Sequence, residues 1–516
     1  MNGILLPRTA GLRRRHVLMG AAGLAGLAAF GTGPGWAQQT PVSGGTLRIA
    51  QGTDAQPKAA LAGRAGNNSW RHNVFDTVTA LDSETGEPRP VLATEWSSSD
   101  DGKTFVVKLR EGVTFHTGRP FTAEDVVFTL EQVKVPENAS QMRPLVSAYT
   151  SIKATGTHEV TITSNAPVAP RIFDVFQLAV ILDKDTMAGL ADGSQVVGTG
   201  PYRWVNWVPG ASLRLEKNAD YWGENGPYFD AVEISVITDS TAMANAVRGR
   251  ADLVLAMTPR DAALFKGDPN VELFQSPGGQ IFPLGLNVTA APFDNKEVRQ
   301  AVGFAIDRDR IIQQLFNGIG DGSPLWWPSN VPGMTDKHTG YYSYDPDKAR
   351  KMIEDAGAKG AEFDMAVIGL APVPALYEIV QNNLRDVGLV PTGGVVETAA
   401  FDQRQLANDL GPAFMQIHGL QGFSPATLVD ALPALRDGNP SHFEPPEYRQ
   451  LKDKVQAATG DETGAAMAEL ADFMLASAFS HILIHTYPLN AKSPKVQGLV
   501  FDNVGYLHLA GAWMNA

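Results

Sequence analysis

The sequence carries ten histidines and 55 acidic residues, so metal binding and acid–base chemistry are the first readings to weigh. The most ordered histidine pair is His481 and His485, four positions apart. On a helix that spacing would put both imidazoles on one ion. The intervening Ile482-Leu483-Ile484 reads as a strand, and there residues i and i+4 share a face about 13 Å apart. No metal site is expected. A carboxylate pair of the glycosidase kind needs a separation that the sequence does not encode, because 55 acids make chance pairs unavoidable. Nucleophile elbows of the G-x-S-x-G type, H-E-x-x-H helices and S-x-x-K motifs are missing. The run Gly198-Thr199-Gly200-Pro201-Tyr202 does not complete a G-x-G-x-x-G fingerprint, and no P-loop Gly-Lys-Ser/Thr occurs. With no cysteine there is no thiolate ligand, no thiol nucleophile and no disulfide frame. The expectation is a protein without catalytic residues, metal or cofactor.

The elements around these residues are mixed. Thr46 to Ala50 reads as a strand ending in a polar loop, Gln51 to Gln56. Thr104 to Leu109 alternates, with Phe105, Val107 and Leu109 on one face, after a turn signal at Ser99-Asp100-Asp101-Gly102. Thr122 and Asp125 form a capping box for a helix with Val126, Val127, Leu130 and Val133 on its buried face. Further strands are expected at 159–163, 212–216 and 231–237. After about residue 280 the pattern becomes alternating α/β. Asp294 is expected to cap a helix with Val298, Ala301, Val302, Ala305 and Ile306 inward. A second helix starts at Asp345-Pro346 and stops at Gly357 in the left-handed C′ position. A third carries Leu376, Ile379, Val380 and Leu384 and ends at Gly388. Strands are expected at 363–369 and 413–418, then 481–485 and 498–501. Two lobes joined by two crossings would follow, the crossings lying within 276–285 and 482–488, with a cleft between them able to close on a ligand.

The 516 residues suggest two or more domains, and 44% hydrophobic content with 51 glycines and 34 prolines fits a loop-rich globular protein rather than a disordered one. A net charge of −13 repels phosphate backbones, so no nucleic-acid partner is expected. Residues 1–37 read as an export signal. Arg8, Arg13, Arg14 and Arg15 precede a short apolar stretch, Val17 to Phe30, and Gly35-Trp36-Ala37 offers small residues at −3 and −1 for cleavage after Ala37. Arg14-Arg15-His16-Val17-Leu18 resembles the twin-arginine export motif; an ordinary secretory signal is the alternative. Either route gives a soluble periplasmic protein. No later run reaches the length of a membrane span.

Three blocks of sequence carry a resemblance. The first is Leu92-Ala93-Thr94-Glu95-Trp96, then Asp101 to Phe105, Leu109 to Val113, Phe115-His116, Gly118-Arg119-Pro120 and Thr122 to Val126. The second is Gly198 to Tyr202 with Asn218-Ala219-Asp220-Tyr221-Trp222 and Gly249-Arg250-Ala251-Asp252. The third is Pro292-Phe293-Asp294 with Val298 to Ala301 and Ala305-Ile306-Asp307-Arg308. In this order and spacing they resemble the family 5 solute-binding proteins of bacterial ABC importers, the dipeptide, oligopeptide and nickel group. The resemblance implies an α/β, two-lobed Venus-flytrap fold of the larger, peptide-binding type with an extra subdomain in lobe I. It implies lobe I at 38–280 with an inserted subdomain at about 81–196, lobe II at 281–484, and a return to lobe I at 485–516. It implies a monomeric receptor that captures a peptide-like or other small solute between its lobes and delivers it to a membrane permease served by a separate ATPase. A secreted hydrolase and an envelope chaperone remain the competing classes. Most of the matching residues read as structural, His116 and the Gly198–Tyr202 turn among them.

By the same resemblance, cleft residues come from loops at strand ends: Asp54, Asn68, Trp70, Trp326, Trp327, His418, Gln421 and Phe423. Indole and phenyl faces suit rings or apolar side chains, while Asp, Asn and Gln supply directional hydrogen bonds. Adjacent side chains on an extended segment point opposite ways, so one of Trp326 and Trp327 should face the cleft. Asp54 could instead cap a turn. Dipeptide-binding members hold the ligand ammonium with an Asp where Gln421 stands here, and the carboxylate with an Arg where Ala371 to Ala375 offers none. The expected solute is therefore a neutral or blocked peptide, a glycoside or an aromatic compound.

Overall fold

A computed structural model describes residues 40–82, 86–169, 171–224, 226–419, 422–458 and 462–515. The export signal and its cleavage site lie outside the described residues. Two large sheets organise the rest. The first has seven strands in the order Glu272–Gln275, Leu489–Lys492, Leu253–Met257, Thr46–Gln51, Ala231–Val236, Ser212–Lys217 and Tyr202–Val208. Its centre is parallel: Thr46–Gln51 runs beside Ala231–Val236 in full register from Thr46↔Ala231, and beside Leu253–Met257 on its other side. Leu47, Ile49 and Ala50 are all buried, on both faces of this central strand, as expected where helices or loops cover both sides. The second sheet has five strands, Val390–Val396, Glu362–Ile368, Ala413–Met415, Gln280–Leu286 and Ser480–Thr486.

A third, four-stranded antiparallel sheet, Ala93–Ser98, Thr104–Leu109, Glu159–Ser164 and Tyr149–Gly156, packs on the helix Ala123–Lys134. That helix starts as its sequence dictates. Thr122 N–H donates to Asp125 Oδ2 at 3.0 Å, completing the capping box. Asp125 also holds Arg119 at 2.6 Å, and Arg119 reaches Asp183 at 2.6 Å, so the cap ties into a buried ion network.

The two lobes are joined by two extended crossings. One passes from Gln275 to Gln280 and the other from Thr486 to Leu489. They run side by side: Ser276 N–H donates to the Pro488 carbonyl at 3.0 Å, and Asn490 Nδ2 donates to Ser276 Oγ at 3.0 Å. Few backbone atoms tie the lobes covalently, which is the arrangement a hinge requires.

The elements differ from the sequence expectations in detail. The helix after residue 290 is capped by Asn295, whose side chain accepts from Glu297 N–H at 2.9 Å, and not by Asp294. Asp294 N–H instead closes a turn onto the Ala290 carbonyl, which puts it one residue too early. The expected strand 498–501 is split into Val496–Gln497 and Val500–Phe501, because Gly498 between them has φ +69°. The strand at 413 ends at Met415, though the chain stays extended and His418 bridges Ile281. Asp345 caps Pro346–Asp355, and Gly357 follows with φ +69° as the C′ residue.

Several residues of the three sequence blocks prove to be joints between elements. Gly198 sits where a Cβ would lie 2.1 Å from the Val74 carbonyl oxygen, so only glycine fits there. Thr199 Oγ1 and Trp222 Nε1 both donate to the buried Asp76 at 2.9 Å. His116 Nε2 meets the Gly200 carbonyl at 3.0 Å, and its Nδ1 accepts from Gly198 N–H at 3.4 Å. In the second lobe, Arg299 and Arg308 are buried and spend their guanidinium donors on backbone carbonyls, Phe293 and Ser477 for the first, Ile482 and Tyr342 for the second. Desolvation lowers both of their pKa values.

Candidate functional site

The crossing strand Gln280–Leu286 carries the second-lobe end of the site. Ile281 exchanges both backbone hydrogen bonds with His418, at 2.9 and 3.0 Å, which draws the segment 416–418 alongside it. In extended chain, residues 416 and 418 present the same face. Gln416 is 2% exposed, and neither its amide oxygen nor its nitrogen has a hydrogen-bond partner. His418 Nε2 is also sealed from solvent and unpartnered. Burial pushes this imidazole down to about 4, so it is neutral at pH 7. The Trp326 ring lies 6.1 Å from the His418 ring, tilted by 38°. A little further along the loop, Asn503 Nδ2 donates to the Gly422 carbonyl while its Oδ1 stays unpartnered. Asn503 belongs to the C-terminal segment beyond the first-sheet strand Leu489–Lys492.

A buried amide left without partners costs about 1–3 kcal/mol relative to one that is satisfied. Gln416 and His418 carry three such atoms on one stretch of extended chain, where a bound molecule would gain by supplying donors and acceptors. All of them are neutral. Beside His418, Trp326 offers apolar surface. The combination is a neutral hydrogen-bonding and ring-packing environment, with no charged side chain among these residues.

The candidates named from sequence are spread over three roles. Trp326 and His418 come together, and Phe423 is buried in the same loop. Trp327, adjacent to Trp326, is 1% exposed and sets its Nε1 3.1 Å from Met334 Sδ, packing the lobe. Trp326 is buried as well, and the two sit on a bend rather than on an extended strand. A cavity of about 10 Å³ beside the two indoles holds no more than a water. Trp70 is fully buried, donates to Asn67 Oδ1 at 3.1 Å and stands edge-on to Trp204 at 4.9 Å, so in this structure it is a core residue. The Asn68 carbonyl accepts from Leu507 N–H at 2.9 Å, which ties that loop to the C-terminal hairpin. Asp54 spends both oxygens inside the first lobe, taking Trp207 Nε1 at 3.0 Å and Gly210 N–H at 2.7 Å, and so fixes the tip of the hairpin 202–217. Gln421 lies outside the described residues. Gln416 was missed by sequence reasoning, since a polar residue ending an apolar strand carries no motif.

Asp54 borders a second space. A groove of about 340 Å³ on the first lobe is lined by Ala55 to Ala59, Arg64, Glu137 to Ala139, Ala191 and Trp207. It is open to solvent and contains no second-lobe residue. Helix Val373–Asp386 begins after Pro372 with no arginine in its first turn, and Arg385 lies in its last. Among the described residues there is no cluster of three or more His, Asp or Glu arranged to hold a metal ion. His481 and His485 lie on one strand and bond to separate carbonyls, Arg299 at 2.9 Å and Leu325 at 2.8 Å. No helix among the described residues is long and apolar enough to cross a membrane.

Comparison with known proteins places these features in a family. Residues 87–432 match the profile of the bacterial extracellular solute-binding proteins, family 5. The chain is 27% identical to heme-binding protein A of Haemophilus influenzae over 85% of its own length and 86% of that protein's. It is 26% identical to the dipeptide-binding protein of Escherichia coli over 84% and 88%. Its fold superposes on HbpA2 of Haemophilus parasuis with a TM-score of 0.80 at 23% identity, covering 92% of this chain and all of that one.

Proposed function

The chain belongs to the family 5 bacterial extracellular solute-binding proteins, the periplasmic receptors of ABC importers, and on that premise we propose that it captures a neutral solute at Gln416, His418 and Trp326. The observation that carries this reading is the group of sealed, unpartnered and uncharged polar atoms on Gln416 and His418 beside an indole face. The named relatives bind ligands as different as heme and dipeptides, so the ligand class is argued from the side chains of this chain. A blocked or neutral peptide, a glycoside or an aromatic compound fits them. A zwitterionic dipeptide does not, because its two charges would lose water without gaining counter-charges.

Closure of the two lobes traps the solute, and the closed lobes present it to the permease. No bond of the solute is made or broken, the receptor acts as a monomer, and nucleic acid plays no part. Export is proposed to follow the twin-arginine route, with cleavage after Ala37. Division into lobe I at 38–280 and 485–516 and lobe II at 281–484 is proposed as the mechanical unit.

Isothermal titration tests the ligand class. Unblocked dipeptides should bind about 30- to 5,000-fold more weakly than their acetylated and amidated counterparts, the loss expected for a missing charged anchor. Micromolar binding of unblocked dipeptides would overturn it.

A further inference from the structure

The segment 422–424 leads into the helix Pro425–Ala431, and its grip on the first lobe centres on one carboxylate. Asp174 lies on the first-lobe helix Arg171–Leu178 and has no solvent exposure. It accepts from Ser424 N–H at 3.1 and 3.2 Å, from the Ser424 hydroxyl, and from Gln177 Nε2 at 3.0 Å. Ser424 in turn caps its own helix by accepting from Thr427 N–H. The same two helices are joined at their edge by Arg171 and Asp430 at 2.9 Å. Asn503 holds Gly422 two residues upstream.

We infer that Asp174 and Ser424 form an interlobe clasp, in which Asp174 is a positioning residue that holds the segment 422–424 against the first lobe when the molecule is closed. The inference deepens the receptor reading and rests on it for its meaning, but not for its test. Asp174 and Ser424 are 250 residues apart and, on the lobe division proposed above, belong to different lobes, so on that division their hydrogen bonds exist only while the lobes are together. An opened molecule would return Asp174 to water and free the loop at Ser424. Burial also holds the Asp174 pKa above the ordinary carboxylate value, and Ser424 is the foremost group opposing that rise. The carboxylate therefore depends on a partner from the other lobe for much of its solvation in the closed state. A side chain that touches no solute would in this way set how tightly a solute is held.

The chain has no cysteine, so a single pair of spin labels can be placed without background, at Lys184→Cys on the first lobe and Asp402→Cys on the second. Both positions are exposed. Distances are measured by pulsed electron resonance on the solute-free protein. The parent should give one short, narrow distribution. Asp174→Asn keeps the volume but sets an amide donor against the Ser424 donors, and the closed-to-open ratio should fall about tenfold or more. Ser424→Ala should move it the same way by less, and serves as the second readout should Asp174→Asn fold poorly by circular dichroism. Identical distributions in the parent and both variants would overturn the clasp, as would a parent that is already open. A protein that bound no solute at all could still give the expected result, so failure of the receptor reading and failure of the clasp are separate outcomes.

Discussion

Gln416 and His418 bear most of the account because each buries a hydrogen-bonding atom that the protein itself does not satisfy. Replacing Gln416 by Leu should leave folding intact or improved, since an unpartnered amide gives way to apolar surface. Solute affinity should fall about 10- to 100-fold, the value of one or two buried hydrogen bonds. His418→Phe keeps the ring beside Trp326 and should lose a similar amount; titration of both variants, with denaturant midpoints alongside, separates binding from folding. His116 is the counter-example, a histidine whose role is structural. Burial lowers its pKa to about 4, and its two nitrogens already serve Gly200 and Gly198 in one tautomer. Because the folded value lies below 6.5, the unfolded chain takes up the proton first. The stabilisation is complete above pH 6.5 and is lost as the pH falls through 4, amounting to up to about 3 kcal/mol. A His116→Gln variant should be less stable at pH 7 yet show a shallower decline between pH 6.5 and 4. Parallel urea-midpoint curves would contradict this. Sequence alone identified His116 as a packing residue and His418 as a site candidate, but not Gln416. Nothing local distinguishes a buried glutamine that pairs from one that waits.

Among the elements, the crossings and their neighbours decide how the lobes move. Gly278 lies in the first crossing with φ +81°, and a Cβ there would meet the Val504 carbonyl oxygen at 2.1 Å. Gly278→Ala should cost about 2 kcal/mol or more, through both the left-handed backbone and the push against the C-terminal hairpin. Urea unfolding measures it, and a loss below about 0.5 kcal/mol would show that the hairpin yields freely. The regular elements were readable because local chemistry specified them: the Thr122–Asp125 box, the Asp345-Pro346 start and the Phe105/Val107/Leu109 alternation all place their elements within a residue. The failures came where tertiary contacts overrode the local signal. Asp294 looks like a cap but is consumed by a turn onto Ala290, and Gly498 breaks an apolar run that otherwise reads as strand. Trp70 has the type of a ligand platform, and only the packing of Trp204 and Asn67 around it shows that it belongs to the core.

At the scale of the whole molecule, two large sheets joined by two crossings make the two-lobed frame of a family 5 receptor, and the proposed clasp would make its affinity depend on closure as well as on contacts. Family resemblance in three ordered sequence blocks was enough to anticipate this architecture, because those blocks build the joints between elements. It could not anticipate the ligand, because a solute is recognised by a few loop side chains that no sequence block marks, Gln416 among those proposed. In the proposed role the chain holds one small neutral solute, unchanged, between its lobes. Native mass spectrometry of protein purified from periplasm, before and after denaturing release, addresses it most directly. One solute per chain is expected, released chemically intact and bearing no ionised group at pH 7, whose re-addition raises stability logarithmically with its concentration, as RT ln(1 + [L]/Kd). A solute recovered as a cleaved product, or a charged dipeptide released from the cleft, would contradict it.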